Sequence, residues 1–154
     1  MIDLLERLRG RNVEFDVVEY SDQLFTTEAV ATAAKLPARL VAKAMLVKVA
    51  GDYRIVVVPG NRRVDISALG TLLGGTARFA ERSQVATITG VPVGAITPLI
   101  ALARPHIRVI MDKLLMSEMA INISSGRLTC GLNISPEALC AAVDAQIANI
   151  SSSA

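Results

Sequence analysis

The chain has 154 residues, of which 52% are apolar and 19% charged, a composition typical of a single ordered domain rather than a disordered chain. Only 3% of the residues are aromatic, so we do not expect aromatic stacking to be the main way of holding a nucleic acid. One His and two Cys are too few to predict a zinc site. Residues 1–7 lack the pattern of a secretory signal, so we expect a cytoplasmic protein whose two cysteines are reduced.

One uncharged stretch, from Ser83 to Ala103, is long enough to raise the question of a membrane span. It contains two glycines, two prolines and several polar residues, which would break and destabilise a helix in lipid. We interpret the stretch as a buried loop and expect no membrane partner.

The positive charge is concentrated in the middle of the chain. Residues 1–28 carry three arginines and seven acids, whereas residues 29–64 carry seven basic residues and one acid. A basic segment of this kind fits a surface that faces phosphates, although scattered solvated side chains would give the same count. The candidate phosphate contacts are Lys35, Arg39, Arg62 and Arg63.

Hydrophobic periodicity and turn residues predict the elements in chain order. The first half is predicted to contain a helix over Ile2–Arg9, a strand over Val13–Val17, a helix capped by Thr26 or Thr27 and ending near Lys35, a helical turn after Pro37, a hairpin of Met45–Val49 and Tyr53–Val58, and a helix from a cap at Asp65 to Leu73. The second half is predicted to contain strands over Arg108–Met111, Met119–Ile123 and Leu128–Ile134, the last two joined around Ser125 and Gly126, and a helix that starts at Ser135.

Hairpins interspersed with helices indicate a single α+β domain, with a mixed or largely antiparallel sheet and flanking helices. We place its boundaries at residues 1–150 and expect residues 151–154, mostly serine, to form a frayed tail.

The usual catalytic motifs are missing from the sequence. There is no Walker A motif and no Gly-x-Ser-x-Gly elbow, and the single His106 lies between arginines in what we interpret as a surface loop. Lysines, carboxylates, hydroxyls and backbone amides remain, which favours electrostatic stabilisation of an acyl-transfer transition state.

Lys43 stands out among the lysines because it interrupts the apolar run from Leu40 to Val47. Its ammonium either extends to water from the edge of a strand or projects into a pocket to meet a carbonyl, carboxylate or phosphate. A second candidate is the Gly/Pro-rich segment Thr89–Pro98, whose backbone N–H groups could face a ligand. A buried structural turn would explain that segment equally well.

Several blocks of the sequence resemble the YbaK and prolyl-tRNA synthetase associated domain family across almost the whole chain. The blocks, in order, are Thr26–Ala29, Val41–Val47, Val58–Asp65, Thr89–Pro98, Ile110–Asp112 and Ser124–Gly126 before Ile134–Glu137. The resemblance implies a trans-editing hydrolase that deacylates mischarged aminoacyl-tRNA by attack of water on the ester, with no metal or organic cofactor. Its partners would be the acceptor end of the tRNA and, through a shared tRNA, an aminoacyl-tRNA synthetase, with no DNA partner.

The same resemblance implies which residues form the site. Lys43 and Gly94 would be catalytic, with Lys43 favouring the developing negative charge and the Gly94–Pro98 loop orienting the carbonyl. The expected substrate contacts are Phe25, Thr26, Met45, Thr97, Pro98, Asp112, Ser124, Ser125 and Gly126. For Asp112 and Ser125 a helix cap and an ordinary hairpin turn are the alternatives.

Two departures from the family leave the substrate open. Ala44 follows the lysine where some relatives have Asn, and Ser124–Arg127 replaces a segment with a His. The edited amino acid could be Ala, Ser, Cys or a proline-like analogue, since one contact is enough to discriminate among them. The alternative function is a non-catalytic tRNA- or nucleotide-binding module, or a small-molecule regulator, on the same fold.

Overall fold

The computed structural model describes residues 3–154. Its α-helices in this range are α1 (Leu4–Arg9), α2 (Thr27–Ala34), α3 (Ile66–Leu73), α4 (Arg82–Thr89) and α5 (Pro136–Val143). The strands are β1 (Phe15–Glu19), β2 (Ala42–Val49), β3 (Asp52–Pro59), β4 (Arg62–Val64), β5 (Ala77–Phe79), β6 (Arg108–Asp112), β7 (Ile121–Arg127), β8 (Cys130–Ile134), β9 (Gln146–Ala148) and β10 (Ser151–Ser153). Short 3-10 helices cover Ala38–Leu40, Pro98–Leu102 and Lys113–Ser117.

Short polar side chains fix where several helices begin. Thr26 accepts a hydrogen bond from the backbone N–H of Ala29 at 3.1 Å, and Asp65 and Ser135 cap α3 and α5 in the same way. These three predicted caps are confirmed. Gly74, with φ of 73°, ends α3 as predicted, because a glycine adopts the left-handed conformation without strain.

A five-stranded mixed sheet, in the order β5-β2-β3-β6-β9, forms the centre of the fold. The β2–β3 hairpin confirms the strongest strand prediction, and its turn consists of Ala50 and Gly51, which both have positive φ. β6 pairs parallel to β3 and to β9, whereas the other pairs of this sheet are antiparallel. The predicted α+β class with a mixed sheet is therefore confirmed.

Alternate residues of the central strands supply two hydrophobic clusters, one on each face of the sheet. Leu46, Ile55 and Val57 belong to the larger cluster, which also contains residues of α1 and of the β7–β8 hairpin. Val56 and Val58 belong to the smaller cluster beside α3. Because successive side chains of a strand point to opposite faces, the apolar run in β3 predicts a strand buried on both sides.

Two smaller sheets complete the fold. β1, β8 and β7 form an antiparallel sheet, and β10 pairs antiparallel with β4. A single parallel bridge between Val41 and Asn122 links the start of β2 to β7. This bridge brings the central sheet next to the β7–β8 hairpin, where the candidate site lies.

The structure corrects the interpretation of residues 83–103 as a buried loop. Most of the first part lies in α4, whose outer side is exposed, and the last part forms the 3-10 helix Pro98–Leu102. Only the segment between them is a loop. None of the helices in the described part of the chain is long and apolar enough to cross a bilayer.

The predicted turn around Ser125 and Gly126 is also wrong. Both residues lie inside β7, and the chain reverses at Leu128 and Thr129 instead. The pairing of β7 with β8 shifts in register between Ser124 and Arg127, and Gly126, whose φ is 96°, lies in this bulge. A glycine inside a strand pattern indicates a bulge as readily as a turn, and the prediction chose the turn.

The termini differ from their predictions too. Residues 151–153 form β10 instead of a frayed tail, because their backbone groups pair with β4. Helix α1 starts at Leu4 after a cap by Asp3, and Ile2 lies outside the described residues. The first strand is shifted from the predicted Val13–Val17 to Phe15–Glu19, where it pairs with β8.

Candidate active site

A cavity of about 320 Å³ opens between β2 and the β7–β8 hairpin. Its walls come from the residues around the start of α2, the first half of β2, the segment from Phe79 to Val85, the loop around Gly94 and the facing sides of β7 and β8. The cavity is thus assembled from parts that are far apart in the sequence.

Lys43 lines this cavity from the start of β2. Its ammonium donates a hydrogen bond to the main-chain carbonyl of Arg62, on β4, at 2.5 Å. A carbonyl neutralises no charge, and a lysine ammonium has three donors. One hydrogen bond to a carbonyl leaves the Lys43 ammonium two further donors for a ligand.

Through Gly94, the loop between α4 and the 3-10 helix Pro98–Leu102, here called the glycine loop, lines the same cavity as Lys43. Gly94 has φ of 95°, and a Cβ built there would lie 3.2 Å from Cδ2 of Leu128 and 3.6 Å from the ring of Phe25. A side chain at this position would be strained by the backbone and crowded by both neighbours. The glycine thus lets the loop backbone lie open to the cavity.

Ser124 connects this loop to β7. Its hydroxyl donates to the carbonyl of Ala95 at 3.3 Å and accepts from the N–H of Gly126 at 3.2 Å. The amide of Ala95 donates to the carbonyl of Pro92 at 3.0 Å, so that amide is used within the loop. The expected substrate contact of Ser124 is therefore accompanied by a role in holding the loop.

The deep end of the cavity is polar. The amide nitrogen of Asn122, which is buried, donates to Oδ1 of Asn133 at 3.0 Å and lies 3.4 Å from the hydroxyl of Tyr20. Burial raises the pKa of Tyr20 above its usual 10.0, the hydrogen bond from Asn122 lowers it by less, and nearby Cys130 adds to the rise. The phenol is therefore protonated at neutral pH and can donate to a ligand.

The cavity wall has a uniform sign of charge. Among residues 3–154, three cationic side chains line it, namely Lys43, Arg82 and Arg127, and no Asp or Glu does. Arg127 contacts Asp3 at 3.5 Å outside the cavity, in an exposed ion pair that solvent screens. The cavity therefore favours an anionic ligand or a transition state that develops negative charge.

The structure brings together some of the predicted site residues. The six that line the cavity are Lys43, Gly94, Phe25, Thr26, Met45 and Ser124. The nine that do not line it are Thr97, Pro98, Asp112, Ser125, Gly126, Lys35, Arg39, Arg62 and Arg63.

The predicted substrate-contact residues that lie outside the cavity take part in interactions within the fold. Thr97 caps the 3-10 helix that Pro98 begins, by accepting from the N–H of Leu99 at 3.3 Å. The buried Ser125 donates to the carbonyl of Cys130 at 2.8 Å, and Gly126 packs against Leu4.

Asp112 does not face the cavity or cap the following 3-10 helix. It is 1% exposed, and its two carboxylate oxygens accept from the N–H of Ile150 at 3.0 Å and from the hydroxyl of Ser151 at 2.8 Å. This aspartate therefore holds the segment that leads into β10 and does not approach the cavity.

The predicted phosphate contacts lie on the outside of the molecule. Lys35, Arg39 and Arg63 are exposed. Arg62 is half-buried, and its guanidinium donates to the hydroxyl and the carbonyl of Ser151 at 2.7 and 3.2 Å. Arg62 is therefore less free than the other three to reach a phosphate.

Sequence reasoning missed several polar or aromatic residues of the cavity. They are Tyr20, Phe79, Arg82, Asn122, Arg127 and Cys130. One signal was available: the chain has only five aromatic residues, and three of them, Tyr20, Phe25 and Phe79, line this cavity. Phe25 is 60% exposed and Phe79 46%, so both rings are accessible at the cavity.

Within residues 3–154, no three His, Cys, Asp or Glu side chains lie close enough together to hold a metal ion. The two cysteines are unpaired; Cys130 is buried, and Cys140 is half-buried away from the cavity. Burial raises the pKa of Cys140 above its usual 9.0, so its thiol is protonated at neutral pH.

Comparisons with known proteins bear on the family and the fold of the chain. The model of the aminoacyl-tRNA editing domain family matches residues 21–141. No curated protein sequence matches the chain. Among solved structures, the hypothetical protein APE2540 is 26% identical, with a TM-score of 0.92, over 98% of this chain and 100% of that one.

Two further structures share the fold. A protein proposed as a trans-editing enzyme for prolyl tRNA synthetase is 21% identical, with a TM-score of 0.82, over 97% of this chain and 92% of that one. A protein from Marinobacter aquaeolei VT8, proposed to act in signal transduction, is 15% identical, with a TM-score of 0.72. The match covers 98% of this chain but 31% of that one, so the same fold there is part of a longer chain.

Proposed function

We propose that this protein acts in trans to hydrolyse the ester of mischarged aminoacyl-tRNA. The chain belongs to the aminoacyl-tRNA editing domain family, and that membership supports the proposal. The observation that carries the proposal is the cavity lined by three cations and no carboxylate, beside a glycine loop. Such a wall suits a substrate whose phosphates are anionic and whose ester carbonyl becomes negative as water adds to it.

In the proposed reaction, the oxygen of a water molecule bonds to the ester carbon. The bond between that carbon and the ribose oxygen then breaks, and its electron pair and one proton of the water go to the ribose oxygen. The amino acid leaves with a new carboxylate, and the second proton of the water passes to solvent. No covalent intermediate with the protein is needed for this step. The site's task is to place the ester and stabilise the oxyanion.

Lys43 is assigned the electrostatic role in this reaction. Its two remaining ammonium donors are available to the ester carbonyl or to the terminal phosphate. Gly94 is assigned the task of letting the loop backbone approach the ester, since a side chain there would contact Leu128 and Phe25. Ser124 supports that loop through the Ala95 carbonyl.

The exposed aromatic residues at the cavity are assigned to the terminal adenosine of the tRNA. Every nucleobase has a face on which a phenyl ring can stack, and Phe25 and Phe79 both line the cavity with exposed side chains. Arg82 and Arg127, which line the same cavity, are proposed to meet the adjoining phosphates. Lys35, Arg39, Arg62 and Arg63 are proposed to meet phosphates further along the acceptor stem.

The amino acid that is removed is proposed to be small. The cavity of about 320 Å³ must also receive part of the terminal nucleotide. Its deep end offers the hydroxyl of Tyr20 and the amide of Asn122, which suit an amino group or a short polar side chain. Ala, Ser, Cys and proline-like analogues all meet these requirements.

The direct test is a panel of mischarged tRNAs, each incubated with the protein and assayed for released amino acid. We expect turnover for at least one small amino acid and little for a correctly charged large one. A matched reaction with Lys43→Ala controls for contaminating hydrolases. Binding without turnover on every member of the panel would contradict the proposal and favour the non-catalytic binding module.

A further inference from the structure

The strand at the C-terminal end, β10, is tied into the fold by side chains as well as by its backbone. It pairs with β4 in the register Ser151 with Val64 and Ser153 with Arg62. The buried carboxylate of Asp112 accepts the hydroxyl of Ser151 at 2.8 Å and the N–H of Ile150 at 3.0 Å. A buried carboxylate is costly unless it is hydrogen-bonded, so these two contacts fix where β10 begins.

The hydroxyl of Ser151 also continues the network towards the cavity. While it donates to Asp112, it accepts from Nε of Arg62 at 2.7 Å, and the Ser151 carbonyl accepts from Nη2 of the same arginine at 3.2 Å. Arg62 is thus held by two hydrogen bonds to one residue. Its main-chain carbonyl is the acceptor for the ammonium of Lys43.

This arrangement bears on the catalytic role proposed for Lys43. A lysine side chain is flexible, and an ammonium that is free to sample several rotamers loses entropy when it must meet an ester in one geometry. The Arg62 carbonyl restricts the ammonium and leaves its charge uncompensated, which a carboxylate partner would not do. The Arg62 carbonyl can restrict the ammonium only while β4 is held in place.

We propose that Ser151 is a positioning residue: through Arg62 on β4, its hydroxyl fixes the carbonyl that orients the Lys43 ammonium. The effect of Ser151 on catalysis rests on the proposed function, whereas its effect on the lysine does not. Ser151 does not line the cavity and acts only through the hydrogen-bond chain.

Ser151→Ala is the variant that tests the proposal, with Ser151→Thr to restore the hydroxyl and Ser153→Ala as the control on the same strand. Thermal unfolding of all three establishes that they are folded. Once an aminoacyl-tRNA that the protein hydrolyses is identified, we expect Ser151→Ala to lower kcat by about ten- to a hundredfold. KM should change little, because the substitution disturbs the position of the Lys43 ammonium and not substrate binding. Ser151→Thr should recover most of kcat, and Ser153→Ala should resemble the unmodified protein.

Two measurements separate positioning from a general loss of stability. First, the Ser151→Ala substitution should have almost no further effect in a Lys43→Ala background, whereas independent effects would multiply. Second, the ammonium protons of Lys43, observed by nitrogen-15 NMR, should exchange with water faster in Ser151→Ala than in the unmodified protein and in Ser153→Ala.

The outcomes distinguish failure of this inference from failure of the proposed function. An unchanged exchange rate of the Lys43 ammonium in Ser151→Ala would overturn the positioning role, as would multiplicative effects in the double variant. If no aminoacyl-tRNA is hydrolysed, the proposed function fails, and faster ammonium exchange in Ser151→Ala would still support the hydrogen-bond chain.

Discussion

Lys43 is the residue whose substitution most directly tests the proposed chemistry. Lys43→Ala removes an ammonium that contributes one hydrogen bond to a carbonyl and no ion pair, so the free energy of unfolding should change by only about 1 kcal/mol. Loss of a preorganised electrostatic donor should instead lower kcat/KM by about 10² to 10³. Single-turnover deacylation and thermal unfolding, measured on the same preparation, check both expectations.

Two control variants accompany this substitution, one at another lysine of β2 and one that keeps a positive charge at position 43. Lys48→Ala removes another β2 lysine, one that packs over the ring of Tyr53 and does not line the cavity, and should retain activity. Lys43→Arg keeps the charge but replaces a compact ammonium with a planar fork, and should stay impaired. Normal kinetics for Lys43→Ala would remove the lysine from the mechanism.

Gly94 allows the contribution of the open loop backbone to be measured. Gly94→Val should abolish detectable turnover, because a β-branched residue is strained at φ of 95° and its Cβ would meet Leu128 and Phe25. Deacylation and unfolding are again measured together, since the backbone strain lowers stability in any case.

Gly51→Val is the matched control for that strain. Gly51 has φ of 85° in the β2–β3 turn, and nothing lies within 4 Å of a Cβ built there. Gly51→Val should therefore lose stability through backbone strain alone, without the added crowding at Gly94, and keep its activity per folded molecule. Equal loss of activity in the two variants would mean that the glycine loop has no specific role at the site.

At the level of elements, hydrogen-bonding side chains and turn residues predicted most helices and the central hairpin. These signals are local, because a cap or a two-residue turn is satisfied within four residues of its own position. Thr26, Asp65 and Ser135 are found as caps for this reason. The predicted elements are most accurate wherever the stabilising contact is close in sequence.

The misplaced elements depend on contacts that are distant in sequence. Three consecutive serines have no hydrophobic pattern, yet Ser151–Ser153 form a strand because β4 and Asp112 supply partners from 39 to 91 residues away. Gly126 has a positive φ inside β7 because β8 continues to pair on both sides of the bulge. A single sequence does not reveal such partners, so the tail and the turn were predicted from local composition alone.

The site residues also divide into those with a local signal in the sequence and those that depend on distant contacts. Lys43 and the Gly94 loop stand out locally, as a charge in an apolar run and a glycine between prolines, and the family resemblance assigned them their roles. Phe79 and Asn122 have no such local signal, since each reaches the cavity only through the pairing of its strand. Asp112 was assigned to the substrate from the family resemblance, and its actual partner, the N–H of Ile150, is 38 residues away and gives no local signal.

The edge strand β5 carries the prediction that concerns substrate binding. Phe79 pairs with Val47 of β2 at the cavity, with its ring 46% exposed. Stacking of a base on an aromatic ring contributes about 1–3 kcal/mol, so Phe79→Ala should raise KM for aminoacyl-tRNA by roughly 5- to 150-fold with a smaller change in kcat. Phe79→Tyr keeps the ring and should retain the affinity of the unmodified protein.

Leu72→Ala is the matched control, because Leu72 is 40% exposed on α3 and does not line the cavity. It should leave KM unchanged. If Phe79→Ala binds aminoacyl-tRNA as tightly as Leu72→Ala does, the terminal base is not stacked on β5.

On the scale of the whole molecule, charge decides how a small protein recognises a long polyanion. The basic segment 29–64 contributes exposed cations on the outer surface, and the cavity contributes Lys43, Arg82 and Arg127. Each cation that replaces a counterion on a phosphate lowers the logarithm of the binding constant by about 0.7 to 0.9 per tenfold rise in salt. Contacts of both groups together should therefore make binding steeply dependent on ionic strength.

The contribution of the outer cations is measured by neutralising Lys35, Arg39 and Arg63 one at a time and titrating tRNA at several salt concentrations. Each change that removes a phosphate contact should reduce the slope by a little under one unit, without altering which amino acid is released. Arg108→Gln is the control, because Arg108 is exposed but paired with Asp144 at 3.1 Å and belongs to neither group. An unchanged slope in all three variants would restrict tRNA binding to the cavity, since the outer basic surface would then be ordinary solvated charge.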